Sequence, residues 1–135
     1  MPTPPALDTW HRLVRTSDPA GLDALLADDV VFHSPVVHTP QRGKPLARLY
    51  LAAAFEVFFN PGFRYVRELQ DGPHAVLEFE TEIDGIMVNG VDMITWNAAG
   101  QIVDFKVMLR PLKAVHMVHQ KMAQMLDAMH ARPAA

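Results

Sequence analysis

The feature that most constrains this chain is a change of hydrophobic period at Phe63. Ahead of it, apolar residues recur every three or four positions, as on one side of a helix. Behind it they alternate. Phe63, Tyr65, Arg67 and Leu69 interleave with Arg64, Val66 and Glu68, and Leu77, Phe79, Thr81 and Ile83 interleave with Glu78, Glu80 and Glu82. A period of two places successive side chains on opposite faces of a strand. Turn residues punctuate the run at Asp71-Gly72-Pro73, Asp84-Gly85 and Asn97 to Gly100, so four consecutive antiparallel strands are predicted up to Arg110.

The first half supplies what covers that sheet. A helix is predicted from about Ala6 to Thr16 with Leu7, Trp10 and Val14 on one face. Asp18 caps a second, short helix that Pro19 opens, with Leu22, Leu25 and Leu26 as its apolar side. Val30 to Ser34 reads as a strand stopped by Pro35, and Val36 to Lys44 as a loop. Pro45 opens a helix to about Phe59 with two apolar stripes, one of Leu46, Leu49, Tyr50, Ala53 and Val57, the other of Leu51, Phe55 and Phe58. Two stripes require cover on two sides. A last helix is expected from Leu112 to about Met129.

The order α-α-β-α-β-β-β-β-α is α+β. A twisted sheet with helices on one face curls into a cone and leaves a cavity between the layers. One outer sheet face, carrying Met93 and Met108, then has no helix left to cover it.

At 135 residues the chain forms one domain, residues 1–130, with 131–135 expected as a disordered tail. A net charge of −3 without a basic run argues against nucleic acid or an anionic membrane as partner. No apolar run approaches the roughly 20 residues of a bilayer span. The start lacks the order of a secretion signal, and a cytoplasmic location is the expectation. With no cysteine there is neither a disulfide nor a thiol nucleophile.

Asp92 stands out, because it interrupts the apolar run Val91-Asp92-Met93-Ile94. Pointed into an apolar space, a carboxyl must find a donor or keep its proton, and such groups concentrate at working sites. Trp10, Phe32, Tyr50, Phe55, Phe58 and Phe105 are the residues expected to line the cavity around it. Ser34 and Phe32 should face inward and His33 outward, unless the bend before Pro35 rotates it; His38 could reach the cavity mouth. Either histidine would make a proton-transfer pair with Asp92. His116 and His119 lack the spacing of a zinc helix, so no metal and no cofactor is expected. Arg110 is assigned to an ion pair with Asp104 or a glutamate, and Arg64 or Arg67 to pairs with the glutamates across strands.

Three segments carry a resemblance. Leu25-Leu26-Ala27-Asp28-Asp29-Val30-Val31-Phe32-His33-Ser34-Pro35, Gly43-Lys44-Pro45, and Val91-Asp92-Met93 through Gly100-Gln101-Ile102-Val103 make the chain similar to the nuclear transport factor 2-like superfamily. That superfamily includes ketosteroid isomerases and SnoaL-like polyketide cyclases. The resemblance implies a cone-shaped α+β fold, a homodimer through the sheet face, and Asp92 in the position of a protonated acid that donates to an oxyanion, the handling of a carboxyl in an apolar site known from ketosteroid isomerase. It also implies a carboxylate base before Pro35 and a tyrosine in the first helix, where this chain has Ser34 and Trp10. Steroid isomerisation by the usual mechanism is therefore not expected. The expectation is an acid–base enzyme of isomerase, cyclase, dehydratase or hydrolase type acting on a small apolar molecule, with Asp92, His33, Ser34 and His38 as catalytic candidates. A non-catalytic binding protein or a dimeric interaction module of the same fold are the alternatives.

Overall fold

The computed structural model describes residues 5–131, with side chains as far as Met129. The expected tail lies outside the described residues except for Ala131, where the last helix ends. Helix α1, Pro5–Thr16, buries Ala6, Leu7, Trp10 and Leu13. Asp18 then caps as its sequence position implies: its Oδ1 accepts from the Ala20 N–H at 3.0 Å, and Pro19 opens a single 3-10 turn that leads into α2, Leu22–Leu25.

Strand β1 spans Leu26–His33, so Leu26 belongs to the sheet rather than to the short helix before it. The expected loop holds a two-residue strand, β2, at Gln41–Arg42, paired antiparallel with β1. Helix α3, Lys44–Phe58, begins after Gly43, whose φ of 93° suits a residue without a Cβ. The predicted meander follows as β3 (Arg64–Asp71), β4 (His74–Ile83), β5 (Ile86–Trp96) and β6 (Ile102–Arg110), and α4 (Leu112–Ala131) closes the order.

The sheet order is β2-β1-β6-β5-β4-β3, with β1 parallel to β6 and every other pair antiparallel. It is thus a mixed, curved sheet that does not close, with β2 and β3 at its edges. The β1–β6 pairing brings together segments separated by α3 and four strands, a long-range choice on which local periodicity is silent.

Helix α3 is covered on two sides, but Phe58, expected in the stripe of Leu51 and Phe55, joins the side of Ala53. Leu51, Ala52 and Phe55 pack with α1, α2, Phe32 and Phe105. Ala53 and Phe58 pack instead with Phe79, Val88 and the α4 residues Ala114, Met117, Val118 and Met122. Helix α4 is the second cover.

One register change corrects the sequence reading. A bulge between Tyr65 and Arg67 shifts β3 against β4, pairing Tyr65 with Phe79 but Glu68 with Leu77. Because side chains alternate, one extra residue reverses the faces. Tyr65 and Glu68 consequently point to the helix side, whereas Leu69, predicted to share Tyr65's face, is 60% exposed.

Candidate active site

Strand β5 alternates without interruption from Val88 to Ile94, which carries Asp92 to the helix side of the sheet with only 6% of its surface exposed. Three elements converge on it. Tyr65 Oη, from β3, donates to Asp92 Oδ2 at 2.6 Å; Trp10 Nε1, from α1, donates to Tyr65 Oη at 2.9 Å. The indole fixes the phenol and the phenol fixes the carboxylate. Burial raises the Asp92 carboxyl from 3.8 to about 7, with the Tyr65 hydrogen bond pulling the other way. Burial, followed by the charge on Asp92, pushes the Tyr65 phenol well above its ordinary value of 10.0. Asp92 is therefore the member of the pair that exchanges a proton near neutrality, while Tyr65 keeps its own.

Asp92 faces a cavity of about 30 Å³ walled by Trp10, Phe55, Phe58, Phe79 and Phe105. This is room for about two water molecules, given the roughly 15 Å³ each requires. Outside it lies a cleft of about 480 Å³, between the C-terminal end of α1 and the turn joining α3 to β3. Phe59 and Phe63 border both spaces and meet edge to face at 4.8 Å, and Tyr65 borders the cleft. Aromatic rings thus form the partition between cleft and cavity. Asn60 shapes the turn: its Oδ1 accepts from the Gly62 N–H at 2.8 Å, and its Nδ2 donates to the Glu82 carbonyl at 3.1 Å. At the cleft edge His11 bonds Glu68, the residue that the bulge turned inward.

Trp10, Phe55, Phe58 and Phe105 line the cavity with Asp92. Phe32 and Tyr50 do not; they pack together behind Phe105, with ring centroids 5.9 Å apart. The three other polar candidates stand apart from Asp92. His33 pairs in register with Lys106 on the outer sheet face, and its Nε2 lies 3.1 Å from Asp104 Oδ2. Ser34 Oγ accepts from the Val36 N–H at 3.2 Å, serving the bend. His38 is exposed on the loop before β2. Neither His33 nor His38 pairs with Asp92, because β1 keeps its alternation to His33 and the bend follows it.

Arg64 pairs with Glu80 at 3.0 Å and Arg67 with Glu78 at 3.4 Å, as the cross-strand pattern implied. Arg110 is not joined to Asp104, which is occupied by His33. Among the described residues no group of three histidine, aspartate or glutamate side chains is placed to hold a metal ion. Sequence reasoning missed Tyr65 as a site residue. The available signal was its place in the alternation beside Phe63, a phenol on the face that holds Asp92.

The profile of the SnoaL-like domain family matches residues 7–105. The chain belongs to that family. A solved structure called a steroid delta-isomerase, from Pseudomonas aeruginosa, is 36% identical with a TM-score of 0.88, covering 94% of this chain and 93% of that one. An uncharacterised protein with a cystatin-like fold from Silicibacter pomeroyi is 32% identical with a TM-score of 0.83, covering 90% and 85%. A protein with a ketosteroid isomerase-like fold from Catenulispora acidiphila, 17% identical with a TM-score of 0.62 and covering 84% and 91%, shares the fold. No curated protein matches the chain. No helix among the described residues is long and apolar enough to cross a membrane.

Proposed function

We propose that the chain is a proton-transfer enzyme of isomerase type acting on a small, largely apolar carbonyl compound, with Asp92 as its single acid–base group. The observation that carries this reading is the Tyr65 Oη to Asp92 Oδ2 bond of 2.6 Å at the wall of an apolar cavity. In its ionised form Asp92 removes a proton from the carbon next to the carbonyl. Its oxygens then become weaker acceptors, which frees the Tyr65 hydroxyl to donate to the enolate oxygen. The protonated Asp92 returns the proton to a second carbon, so the net change is a shifted double bond. A carboxyl whose proton affinity lies near the working pH suits both halves of this cycle. The relative called a steroid delta-isomerase supports the reaction class. Ser34, by contrast, offers no carboxylate where the ketosteroid isomerases place theirs.

The reacting end of the substrate has to displace Phe59 and Phe63, because the cavity itself holds only about two waters. The test is isomerisation of 3-cyclohexen-1-one to its conjugated isomer, followed by ultraviolet absorbance. Wild type should accelerate it and Asp92→Asn should lose at least about 100-fold of that acceleration. Equal rates for the two proteins would reject the assignment.

The small cavity favours a second reading, a dimeric interaction module that uses the outer sheet face. Leu69, Met93 and Met108 are exposed there, and large exposed apolar patches mark contact surfaces. Light scattering on the wild type and on Met93→Glu decides it: a dimer that the substitution splits supports the module, and a wild-type monomer removes it.

A further inference from the structure

We infer that the outer cleft is a binding site for a small aromatic or aliphatic carboxylic acid in its anionic form, with the carboxylate on Arg15 and the apolar body against Phe59 and Phe63. The inference deepens the proton-transfer reading by naming the charge that the substrate carries, and it rests on that reading only for what happens beyond the aromatic partition.

Charge and shape carry it. The cleft's walls include Arg15, Arg64 and His11, and no acidic side chain forms part of them. Its volume of about 480 Å³ lies within the roughly 300–1,000 Å³ of small-molecule sites. The three basic groups are not equivalent. Arg64 is committed to Glu80 at 3.0 Å, and His11 to Glu68. Arg15 enters no ion pair among the described residues. It is therefore the cation whose hydrogen-bonding fork remains for a ligand, and a guanidinium matches a carboxylate with two parallel hydrogen bonds. Ser17 and Asn60 add neutral polar atoms around the same space. Phe59 and Phe63, edge to face, give the opposite wall an apolar surface that continues to Asp92. A ligand with one anionic end and one apolar end matches that polarity. Arg15 would anchor it, and Asp92 would meet the far end of the molecule.

The test is calorimetric titration of the full chain with benzoate and with its neutral analogue benzamide. Benzoate should bind saturably, and benzamide about tenfold more weakly. Arg15→Gln should weaken benzoate about tenfold and leave benzamide unchanged, whereas Arg64→Gln should change benzoate by less than about threefold. Benzoate seated in the cleft stays on the near side of Phe59 and Phe63 and does not reach Asp92, which is no part of the cleft wall, so Asp92→Asn should bind it as wild type does. That variant separates the two proposals: benzoate binding intact with no loss of isomerisation in Asp92→Asn would overturn the reaction alone. Absence of benzoate binding, equal binding of the two probes, or indifference to Arg15→Gln would overturn the cleft assignment alone.

Discussion

Asp92 and Asp104 lie on neighbouring antiparallel strands, one on each face of the same sheet. Each has a titratable partner within hydrogen-bond distance: Tyr65 at 2.6 Å for Asp92, and His33 at 3.1 Å for Asp104. What separates them is water. Asp92 is 6% exposed, whereas the Asp104 side chain is 43% exposed. On the inner face a charge loses its hydration and the carboxyl holds its proton to about 7. On the outer face solvent screens the pair, and an exposed ion pair is worth about 0–1 kcal/mol. Similar partners on opposite faces therefore do different things, and burial rather than hydrogen bonding decides which carboxyl is chemically useful.

The largest effect expected from that contrast is on stability. Trp10 is buried against Phe55, Phe59 and Phe105 and anchors Tyr65. Trp10→Ala should cost about 3–5 kcal/mol in urea unfolding, while Met108→Ala on the outer face should cost under about 0.5 kcal/mol in the monomer. Comparable losses would erase the distinction between the faces.

The pH dependence of stability sharpens it further. Below about pH 4 Asp92 carries a proton in folded and unfolded chains alike. Between there and about 7 the unfolded chain releases the proton and the folded chain does not, so protonation favours the fold. Stability should fall as pH rises through this window, with a slope approaching 1.4 kcal/mol per pH unit from this group, and the loss is complete above about 7. Asp92→Asn should remove that slope. Urea midpoints for both proteins measured from pH 4 to 8 give the difference directly, and parallel curves would contradict a proton held by burial.

Smaller changes probe the inner face more locally. A Cβ at Gly90 would sit 2.5 Å from Phe79 Cζ and 2.8 Å from the Met108 carbonyl oxygen, so Gly90→Ala should cost about 1–3 kcal/mol. Tyr65→Phe leaves the Trp10 N–H without its acceptor and should also cost about 1–3 kcal/mol. It should move the Asp92 midpoint upward as well, since the phenol's hydrogen bond favours the charged form. On the outer face, His33→Ala should change stability by less than about 1 kcal/mol and leave Asp92 alone. A shift of the Asp92 midpoint in that variant would mean that the two faces communicate.

How much of this was legible beforehand follows from the range of each interaction. The meander, the Asp18 cap and the double cover of α3 rest on local periodicity and turn chemistry, which a single sequence carries. The inward direction of Asp92 was likewise readable, because β5 alternates without interruption. Its partner Tyr65 was overlooked although the alternation with Phe63 put it on the same face. What nothing in Arg64-Tyr65-Val66-Arg67 announces is the bulge that follows it and turns Glu68 rather than Leu69 inward. His33 was expected to face outward, yet it entered the catalytic candidates because the bend before Pro35 could have turned it. Phe32 and Tyr50 were rightly apolar and interior, but which buried rings border a cavity depends on packing over distances that periodicity does not encode.

The most direct measurement is the carbon-13 titration of the Asp92 side-chain carboxyl by NMR, assigned by its absence in Asp92→Asn. A midpoint near 7 is the result expected of a carboxyl enclosed by Trp10, Tyr65 and the phenylalanines. A midpoint near 4 would contradict it, since a carboxyl that ionises there is solvated and has no use for the enclosure.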